Sequence, residues 1–152
     1  MFSSDASNAY AKYADEVVRF ANAVVGPADA EDLAAIVMTR VLSRDGWESL
    51  ADLRAYLFRS VVNEARSSRR STQRRLRREA FGAELAAPPA VTLRADVLDA
   101  VGRLTPRQRA LTYLVYWQDL PVVDAAAELG VSVRTAEREL ANARRRLEVL
   151  LR

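Results

Sequence analysis

Neither cysteine nor histidine occurs in this 152-residue sequence. Their absence excludes disulfide bonds, metal sites built on thiolate or imidazole, and nearly every nucleophile–base pair that depends on those groups. No pair of acidic residues stands in a context that indicates a carboxylate metal site or a hydrolase site. The sequence therefore argues against an enzyme, and we expect no metal, no other cofactor and no small-molecule substrate.

Long apolar runs are also missing. None approaches the ~20 residues that a membrane-spanning helix needs. The polar start of the chain, residues 1–9, is unlike a secretory signal. Half of the residues are hydrophobic, which is enough to bury a core. We therefore expect a cytoplasmic protein with no membrane insertion.

Lysine is nearly absent as well, so positive charge rests almost entirely on arginine. Residues 54–78 contain nine arginines and one glutamate, a net charge of +8, whereas residues 1–53 carry −5. Seven of these arginines lie between Arg66 and Arg78 with no acid among them. A basic block of this kind is typical of nucleic-acid binding. A solvated helix face is the alternative, which mutual repulsion of the guanidinium groups disfavours.

Apolar periodicity predicts helices throughout the chain, with no strand alternation and no internal repeat. The 92–104 helix should turn five residues inward, namely Leu93, Val97, Leu98, Val101 and Leu104. Residues 82–91 contain Pro88-Pro89 and read as a linker. The predicted fold is all-α, with a helical domain at 8–80, a flexible linker at 81–91 and a second helical domain at 92–152. The predicted helices cover residues 8–25, 28–43, 53–65 (continuing as a polar helix or fraying to 78), 92–104, 106–117, 121–129 and 133–151.

The stretch Asp119–Arg146 predicts a helix-turn-helix. Gly130 tolerates the positive φ at which a first short helix can stop, and Ser132 then stands at a natural N-cap position. Small residues at Ala126 and Ala136 allow the two helices to cross closely. A second helix so placed is presented to the DNA major groove. Two surface helices joined by a glycine turn are the alternative.

The ordered succession of motifs resembles bacterial group IV, or extracytoplasmic-function (ECF), RNA polymerase sigma factors of the sigma-70 superfamily. Asp29–Leu33 is similar to the family's acidic helix start, and Ala55-Tyr56-Leu57 to its small–Trp–Leu segment. Leu104–Arg109 is similar to its leucine–proline segment, and Asp124–Thr135 to its helix-turn-helix. The resemblance covers about residues 8–151, with a sigma-two-like and a sigma-four-like domain in the family's order.

This resemblance implies a transcription initiation factor that binds core RNA polymerase and directs it to specific promoters. The first domain would dock on the polymerase clamp, recognise the minus-ten element and stabilise melted DNA, and the second would read the minus-thirty-five element. The polymerase itself makes the bonds, so the factor is expected to catalyse nothing. Core RNA polymerase and promoter DNA are the expected partners, with an anti-sigma factor as a further one, and the bacterial nucleoid the expected location.

The resemblance and the residue chemistry together give three sets of site residues. Opened bases need aromatic surfaces for stacking, and phosphates need cations. Arginines outside the base-reading turns would hold the DNA backbone, which positions the protein without specifying sequence. The polymerase-binding candidates are Asp29, Glu31, Asp32 and Leu33. The minus-ten candidates are Trp47, Arg54, Tyr56, Arg59, Asn63 and Arg66. The minus-thirty-five candidates are Val133, Arg134, Thr135, Glu137 and Arg138 for base edges or nearby phosphates, and Arg107, Arg109, Arg144 and Arg145 for the backbone.

Several of these residues have a purely structural alternative. The acids at 29–32 could do no more than complement the positive end of a helix dipole. Trp47 could be a lid over the helical core, as most large aromatic residues are buried. The helical register could also bury Tyr56.

Departures from the family pattern favour two other functions. Ala35 and Ile36 replace a common Gln-Glu pair on the clamp-docking surface, which favours a stand-alone regulator that would bind duplex DNA as a dimer.

Glu137 and Glu139 stand where basic or neutral residues are usual. A carboxylate there repels phosphate, unless Glu137 accepts from a cytosine amino group. A protein that only sequesters a polymerase or anti-sigma surface would show no DNA dependence.

Overall fold

The computed structural model describes residues 2–79 and 93–152, and helices account for most of both ranges. No strand occurs within them, so the all-α prediction is confirmed. The predicted linker, residues 81–91, lies outside the described residues. A 3-10 turn at Trp47–Ser49 precedes α3, and a π turn at Tyr113–Trp117 continues α5. The helices are α1 (Ser4–Val25), α2 (Ala30–Leu42), α3 (Leu53–Glu79), α4 (Leu93–Gly102), α5 (Pro106–Thr112), α6 (Val122–Leu129) and α7 (Val133–Leu150).

Helices α1–α3 form the N-terminal unit. Helix α1 starts four residues before its predicted start, because the Ser3 hydroxyl accepts a hydrogen bond from the Ala6 N–H at 3.1 Å and caps the first turn. Asp52 caps α3 in the same way, with its Oδ1 3.0 Å from the Ala55 nitrogen. Both helices bury residues spaced three and four apart, which share one helix face. The buried side chains of α1 are Ala6, Val17, Phe20, Ala21 and Val24.

Helices α4–α7 form the C-terminal unit, and a capping box fixes the start of α5. The Gln108 N–H donates to the Thr105 hydroxyl at 3.1 Å, and the Thr105 N–H donates to the Gln108 side chain at 3.1 Å. Pro106 follows at the first helical position. The prediction for α4 is partly wrong. Leu104, after its last turn, is buried, but Val97 and Leu98 are 40% and 64% exposed.

Helix α5 continues into a single π turn, which is wider than a turn of an α-helix. The Gln118 N–H donates to the Tyr113 carbonyl at 3.0 Å, an i→i+5 bond that inserts one residue relative to α geometry. Leu114 is fully buried within this turn, whereas the next residues rotate outward and Trp117 is 78% exposed. The apolar side chains of the turn therefore face both the core and the solvent.

The predicted helix-turn-helix is confirmed in its local geometry. Gly130 ends α6 at φ +66°, a left-handed conformation that favours glycine. Ser132 caps α7 by accepting from the Thr135 N–H at 3.0 Å. Ala126 and Ala136 are both buried where the two helices cross. These small side chains let α7 lie close on α6 with its other face exposed.

One apolar cluster runs through both units. Phe20 of α1 stacks on Phe58 of α3 with ring centroids 4.1 Å apart, and Tyr113 of the C-terminal unit meets Phe20 edge-on at 6.0 Å. Buried residues of α5, α6 and α7 belong to the same cluster as those of α1–α3. The two units are thus packed against each other along α1, α3, α5 and α6. No helix within the described ranges has the length and apolar character to cross a bilayer.

Replacing Phe58 with alanine should destabilise the protein more than any change at an exposed aromatic position. Phe58 is 1% exposed and stacked, and the loss of a buried phenyl group typically costs about 3–5 kcal/mol. Urea unfolding followed by circular dichroism measures the change. Tyr116→Ala, at a residue that is 57% exposed, is the matched control and should stay within about 0.5 kcal/mol of the parent protein. A Phe58→Ala loss no greater than the control would contradict this packing.

Candidate nucleic-acid interface

Helix α7 has two chemically different faces. Ala136, Leu140 and Ala143 are buried against the rest of the C-terminal unit. The opposite face of the first turns is exposed and carries Arg134, Glu137 and Arg138. The predicted base-reading residues are therefore brought together on one solvent-facing surface, two cations with one carboxylate between them.

Two further candidates, Val133 and Thr135, lie in the first turn of α7, and their side chains are less available to a ligand. Val133 is 38% exposed, which leaves part of its surface for an apolar contact. The Thr135 hydroxyl lies 2.9 Å from the Ser132 hydroxyl, which also caps the helix. Thr135 is thus tied to the cap, and its side chain serves the helix start as well as the exposed face.

The four predicted backbone-binding arginines do not lie together. Arg144 and Arg145 are exposed on the last turns of α7, and Arg145 donates to Asn142 of the same helix. Arg107 is half-buried in the first turn of α5. Arg109 is directed toward the N-terminal unit, where its Nε donates to the Ala23 carbonyl at 3.0 Å. The structure therefore separates Arg109 from the other three.

Four of the minus-ten candidates share one side of α3. Positions 56, 59, 63 and 66 are three or four residues apart and so lie on one helix face. Asn63 is exposed, and the other three are half-buried. Tyr56 is not in the core, since its hydroxyl accepts a hydrogen bond from Arg44 at 2.6 Å. An aromatic ring, an amide and two guanidinium groups are thus arranged along about three turns.

Arg54 lies on the other side of α3 and does not join this row. Its guanidinium carbon is 4.5 Å from the centroid of the Phe58 ring one turn later, a favourable cation–π arrangement. Its Nε donates to Glu16 of α1, and its Nη1 is 2.7 Å from Oε1 of Glu128 in α6. The sequence-based grouping of Arg54 with Tyr56 and Asn63 is therefore not reproduced as a single surface.

The environment of Arg54 keeps it charged. Burial by itself lowers the pKa of Arg54, but the hydrogen bond to Glu16 and the charges of Glu128, Glu16 and Asp52 outweigh burial, so the pKa is raised above the ordinary arginine value. A raised cation pKa contributes stability that is fully present below the unfolded-state value. That contribution is lost only at extreme alkaline pH, so Arg54 is cationic wherever the protein works.

Arg59 reaches the end of α6. Its Nε donates to the Glu128 carbonyl at 3.1 Å, and its Nη2 donates to the Ala127 carbonyl at 2.9 Å. A Cβ at Gly130 would stand only 2.9 Å from the Arg59 Nε. The left-handed φ favours glycine at this position, and the absence of a Cβ leaves room for the Arg59 side chain.

The surroundings of Trp47 fit parts of both interpretations of this residue, a lid over the core and a surface on which bases stack. It is half-buried and packs at the edge of the core, as a lid would. It also lines a 100 Å³ cavity with Arg44, Leu50 and Tyr56, and a larger surface groove of 610 Å³ on the side of Phe2. The Trp47 side chain therefore packs against the core and also lines a cavity that Tyr56 of the α3 row lines.

The four polymerase-binding candidates separate into three exposed acids and one core residue. Asp29, Glu31 and Asp32 are exposed, and Asp29 makes no side-chain capping bond although it stands at the N-cap of α2. Leu33 is 7% exposed and belongs to the core. Ile36, one turn after Asp32, is 47% exposed. The surface at the start of α2 is thus acidic with an apolar side chain next to it.

Three residues of this region were not identified from the sequence. Glu16 and Glu128 pair with Arg54 across 38 and 74 residues of chain, and no periodicity relates positions so far apart. Arg44 could have been found, since it opens the loop that holds Trp47 and carries a cation next to an aromatic platform. Within the described ranges no group of acidic side chains is arranged to hold a metal ion.

Two family models match the sequence, and their bounds agree with the two units. Sigma-70 region 2 matches residues 9–75, and Sigma-70, region 4 matches residues 94–147. The first range covers most of α1, all of α2 and most of α3, and the second covers nearly all of α4–α7. The α3 row at positions 56, 59, 63 and 66 and the exposed face of α7 fall inside the matched ranges.

Full-length similarity extends across both units. RNA polymerase sigma-E factor of Streptomyces antibioticus is 32% identical over 134 residues, covering 82% of this chain and 71% of that protein. The factor of the same name from Streptomyces coelicolor is 32% identical over 143 residues, covering 88% and 78%. A crystal structure of the sigma factor RpoE in complex with the anti-sigma factor NepR from Bartonella quintana aligns with a TM-score of 0.69 at 25% identity, covering 98% of both chains.

Removal of the Ser132 hydroxyl should weaken the start of α7. Ser132→Ala loses the cap on the Thr135 N–H and the contact with the Thr135 hydroxyl, and such a change typically costs about 0.5–2 kcal/mol. Thermal unfolding at fixed protein concentration measures the loss. Ser67→Ala, at an exposed position within α3, is the matched control. Equal melting temperatures for the two variants would argue against the cap.

Proposed function

The chain belongs to the sigma-70 family of RNA polymerase sigma factors, and we propose from its geometry which surfaces carry the steps of promoter recognition. As a sigma factor it binds core RNA polymerase and directs it to specific promoters. The polymerase forms the phosphodiester bonds, so the contribution of this chain is binding and positioning. The observation that carries the proposal is that the α3 row, in which Asn63 is exposed and the other three residues are half-buried, and the exposed α7 face lie within the two matched regions.

The acidic start of α2 is the proposed polymerase-docking surface. Asp29, Glu31 and Asp32 are exposed, and the N-cap carboxylate of Asp29 is not used in capping. Complementary charge across an interface favours rapid and specific association. Leu33 supports this surface from the core, while the exposed Ile36 supplies apolar contact area beside the acids.

The α3 row at positions 56, 59, 63 and 66 and the Trp47 turn form the proposed minus-ten surface. Unstacked bases of single-stranded DNA gain stability on aromatic side chains, and the backbone follows cationic groups. Trp47 and Tyr56 offer the aromatic surfaces, and Arg59, Asn63 and Arg66 the cations and the amide. Arg54 contributes charge from the other side of the helix.

The exposed face of α7 is the proposed minus-thirty-five surface. Arg134 and Arg138 carry donors suited to guanine edges in the major groove, and Glu137 between them can accept from a cytosine amino group. Val133 and Thr135 border this face. Arg107, Arg144 and Arg145 are placed to hold phosphates, which fixes the register of the helix on the duplex, and Arg109 joins them only if it leaves Ala23.

An anti-sigma factor is a further proposed partner. The similar chain of known structure was solved in complex with an anti-sigma factor, and the likeness covers 98% of both chains. The domains would then be the two units described above, acting at the bacterial nucleoid where promoters and polymerase meet.

A run-off transcription assay tests the proposed function. Purified core polymerase and a pool of promoter fragments should give discrete transcripts only when this protein is added. Tight binding of the protein alone to duplex DNA, with no new transcripts in the presence of core polymerase, would instead indicate a stand-alone regulator.

Replacing Arg134 with alanine should lower affinity for the preferred minus-thirty-five sequence by about 1–3 kcal/mol and relax selectivity at one base pair. The guanidinium is exposed on the first turn of α7, and removing a bidentate base contact affects the matching sequence most. Competition binding of the polymerase complex to a set of single-base promoter variants measures this.

Arg152→Ala serves as the charge-matched control, because Arg152 lies beyond the end of α7. It should lower affinity slightly and equally for all sequences. If Arg134→Ala does the same, the residue contacts phosphate and does not read a base.

A further inference from the structure

An exposed hydrogen bond joins the loop after α2 to the first turn of α3. Arg44 lies two residues beyond the end of α2, and its Nη1 donates to the Tyr56 hydroxyl at 2.6 Å. The Arg44 backbone N–H donates to the Val41 carbonyl at 3.2 Å, which fixes the backbone of this arginine to the last turn of α2. Arg44 is exposed and Tyr56 is half-buried. The contact therefore holds the Tyr56 ring from its solvent side.

The Tyr56 ring borders empty space as well as the core. It lines the 100 Å³ cavity that Val41, Trp47 and Leu50 also line. A side chain has no van der Waals partner where it borders a cavity, and an aromatic residue on a helix has more than one staggered rotamer open to it. Packing alone leaves the ring incompletely fixed, so the hydroxyl contact with Arg44 defines its orientation.

The surroundings of Arg44 do not favour a phosphate. Two acidic residues, Asp45 and Glu48, line the 610 Å³ groove together with it, and both are exposed. One cation beside two carboxylates repels a DNA backbone more than it attracts one. The guanidinium of Arg44 is thus better suited to holding a neighbouring side chain than to binding DNA itself.

We propose that Arg44 is a positioning residue for single-stranded DNA, which holds the Tyr56 ring in the orientation in which an unstacked base lies on it. Arg44 acts through the Tyr56 hydroxyl and does not touch the strand. The inference rests on the proposed minus-ten role of Tyr56. A ring that is fixed before binding loses less rotational freedom when the base stacks, and affinity rises accordingly.

A double-mutant cycle between Arg44 and Tyr56 tests the proposal. Arg44→Ala and Tyr56→Phe each remove the hydrogen bond, and each should weaken binding about two- to tenfold, the range that the net contribution of one hydrogen bond allows. The double variant should bind as weakly as either single variant, because both changes remove the same contact. The measurement is binding of a labelled pool of random single-stranded oligonucleotides by the protein with core polymerase, after subtraction of binding by core polymerase alone.

Arg40→Ala is the matched control. It removes one arginine of α2 and one exposed contact to α3, the 2.7 Å pair with Glu64, but leaves Tyr56 and Arg44 in contact. It should change oligonucleotide affinity less than twofold, since exposed ion pairs contribute little. The melting temperatures of all these variants should equal that of the parent protein.

Three results would overturn the proposal. If Arg44→Ala weakens binding as much in the Tyr56→Phe protein as in the parent, and lowers the slope of log affinity against log salt by about 0.7, Arg44 binds a phosphate. If Arg44→Ala weakens binding no more than Arg40→Ala, the hydrogen bond has no part in binding. If affinity falls only together with the melting temperature, the contact stabilises the fold and does not position the ring.

Failure of the proposed function has a separate signature. Tyr56→Ala removes the ring itself and should weaken binding about tenfold or more, because stacking on an aromatic side chain dominates sequence-independent binding of a single strand. Unchanged affinity of Tyr56→Ala would remove Tyr56 from the minus-ten surface. A loss with Tyr56→Ala but none with Arg44→Ala would leave the minus-ten surface in place and overturn the role of Arg44 alone.

Discussion

The short helices of this protein bury their apolar faces against one another, in one core that extends through both units. Helix α6 spans only Val122–Leu129, and α5 only Pro106–Thr112 before its π turn; helices of this length are marginal in isolation. Their buried residues join the cluster of α1–α3, with Phe20 in contact with both Phe58 and Tyr113. Because burial of apolar surface dominates folding stability, the mutual position of the units is set by the same contacts that stabilise the helices.

Polar contacts at the edge of that core join the two units. The guanidinium groups of Arg59 and Arg109 donate to carbonyls at the ends of α6 and α1, where helix carbonyls carry partial negative charge. Arginine suits this role because its charge is permanent and its donors are arranged in a fixed plane. The same properties suit arginine to binding phosphate.

Local signals in the sequence were sufficient for the helices and the helix-turn-helix. Gly130, Ser132 and Thr105 act within four residues of themselves, and the structure has them at the predicted helix ends. Contacts between residues far apart in the sequence could not be predicted from such local signals. The Arg54–Glu128 pair joins residues 74 apart, and the exposure of Leu98 depends on which helices cover α4. The exposed face of α7 that carries Arg134, Glu137 and Arg138 followed from the register of the helix, whereas the contacts of the junction arginines depend on the tertiary arrangement.

Because of the π turn at Tyr113–Trp117, the orientation of the helices that follow depends on the exact number of residues in this turn. One residue fewer would restore regular α winding and rotate everything that follows by about 100°. Tyr113 precedes the rotation and would keep Phe20, but α6 would leave the surface of α3. Insertions and deletions are usually tolerated between helices; here a single codon lost inside a helix would change the position of α7 relative to α3, although the two helices are more than 50 residues apart in the sequence.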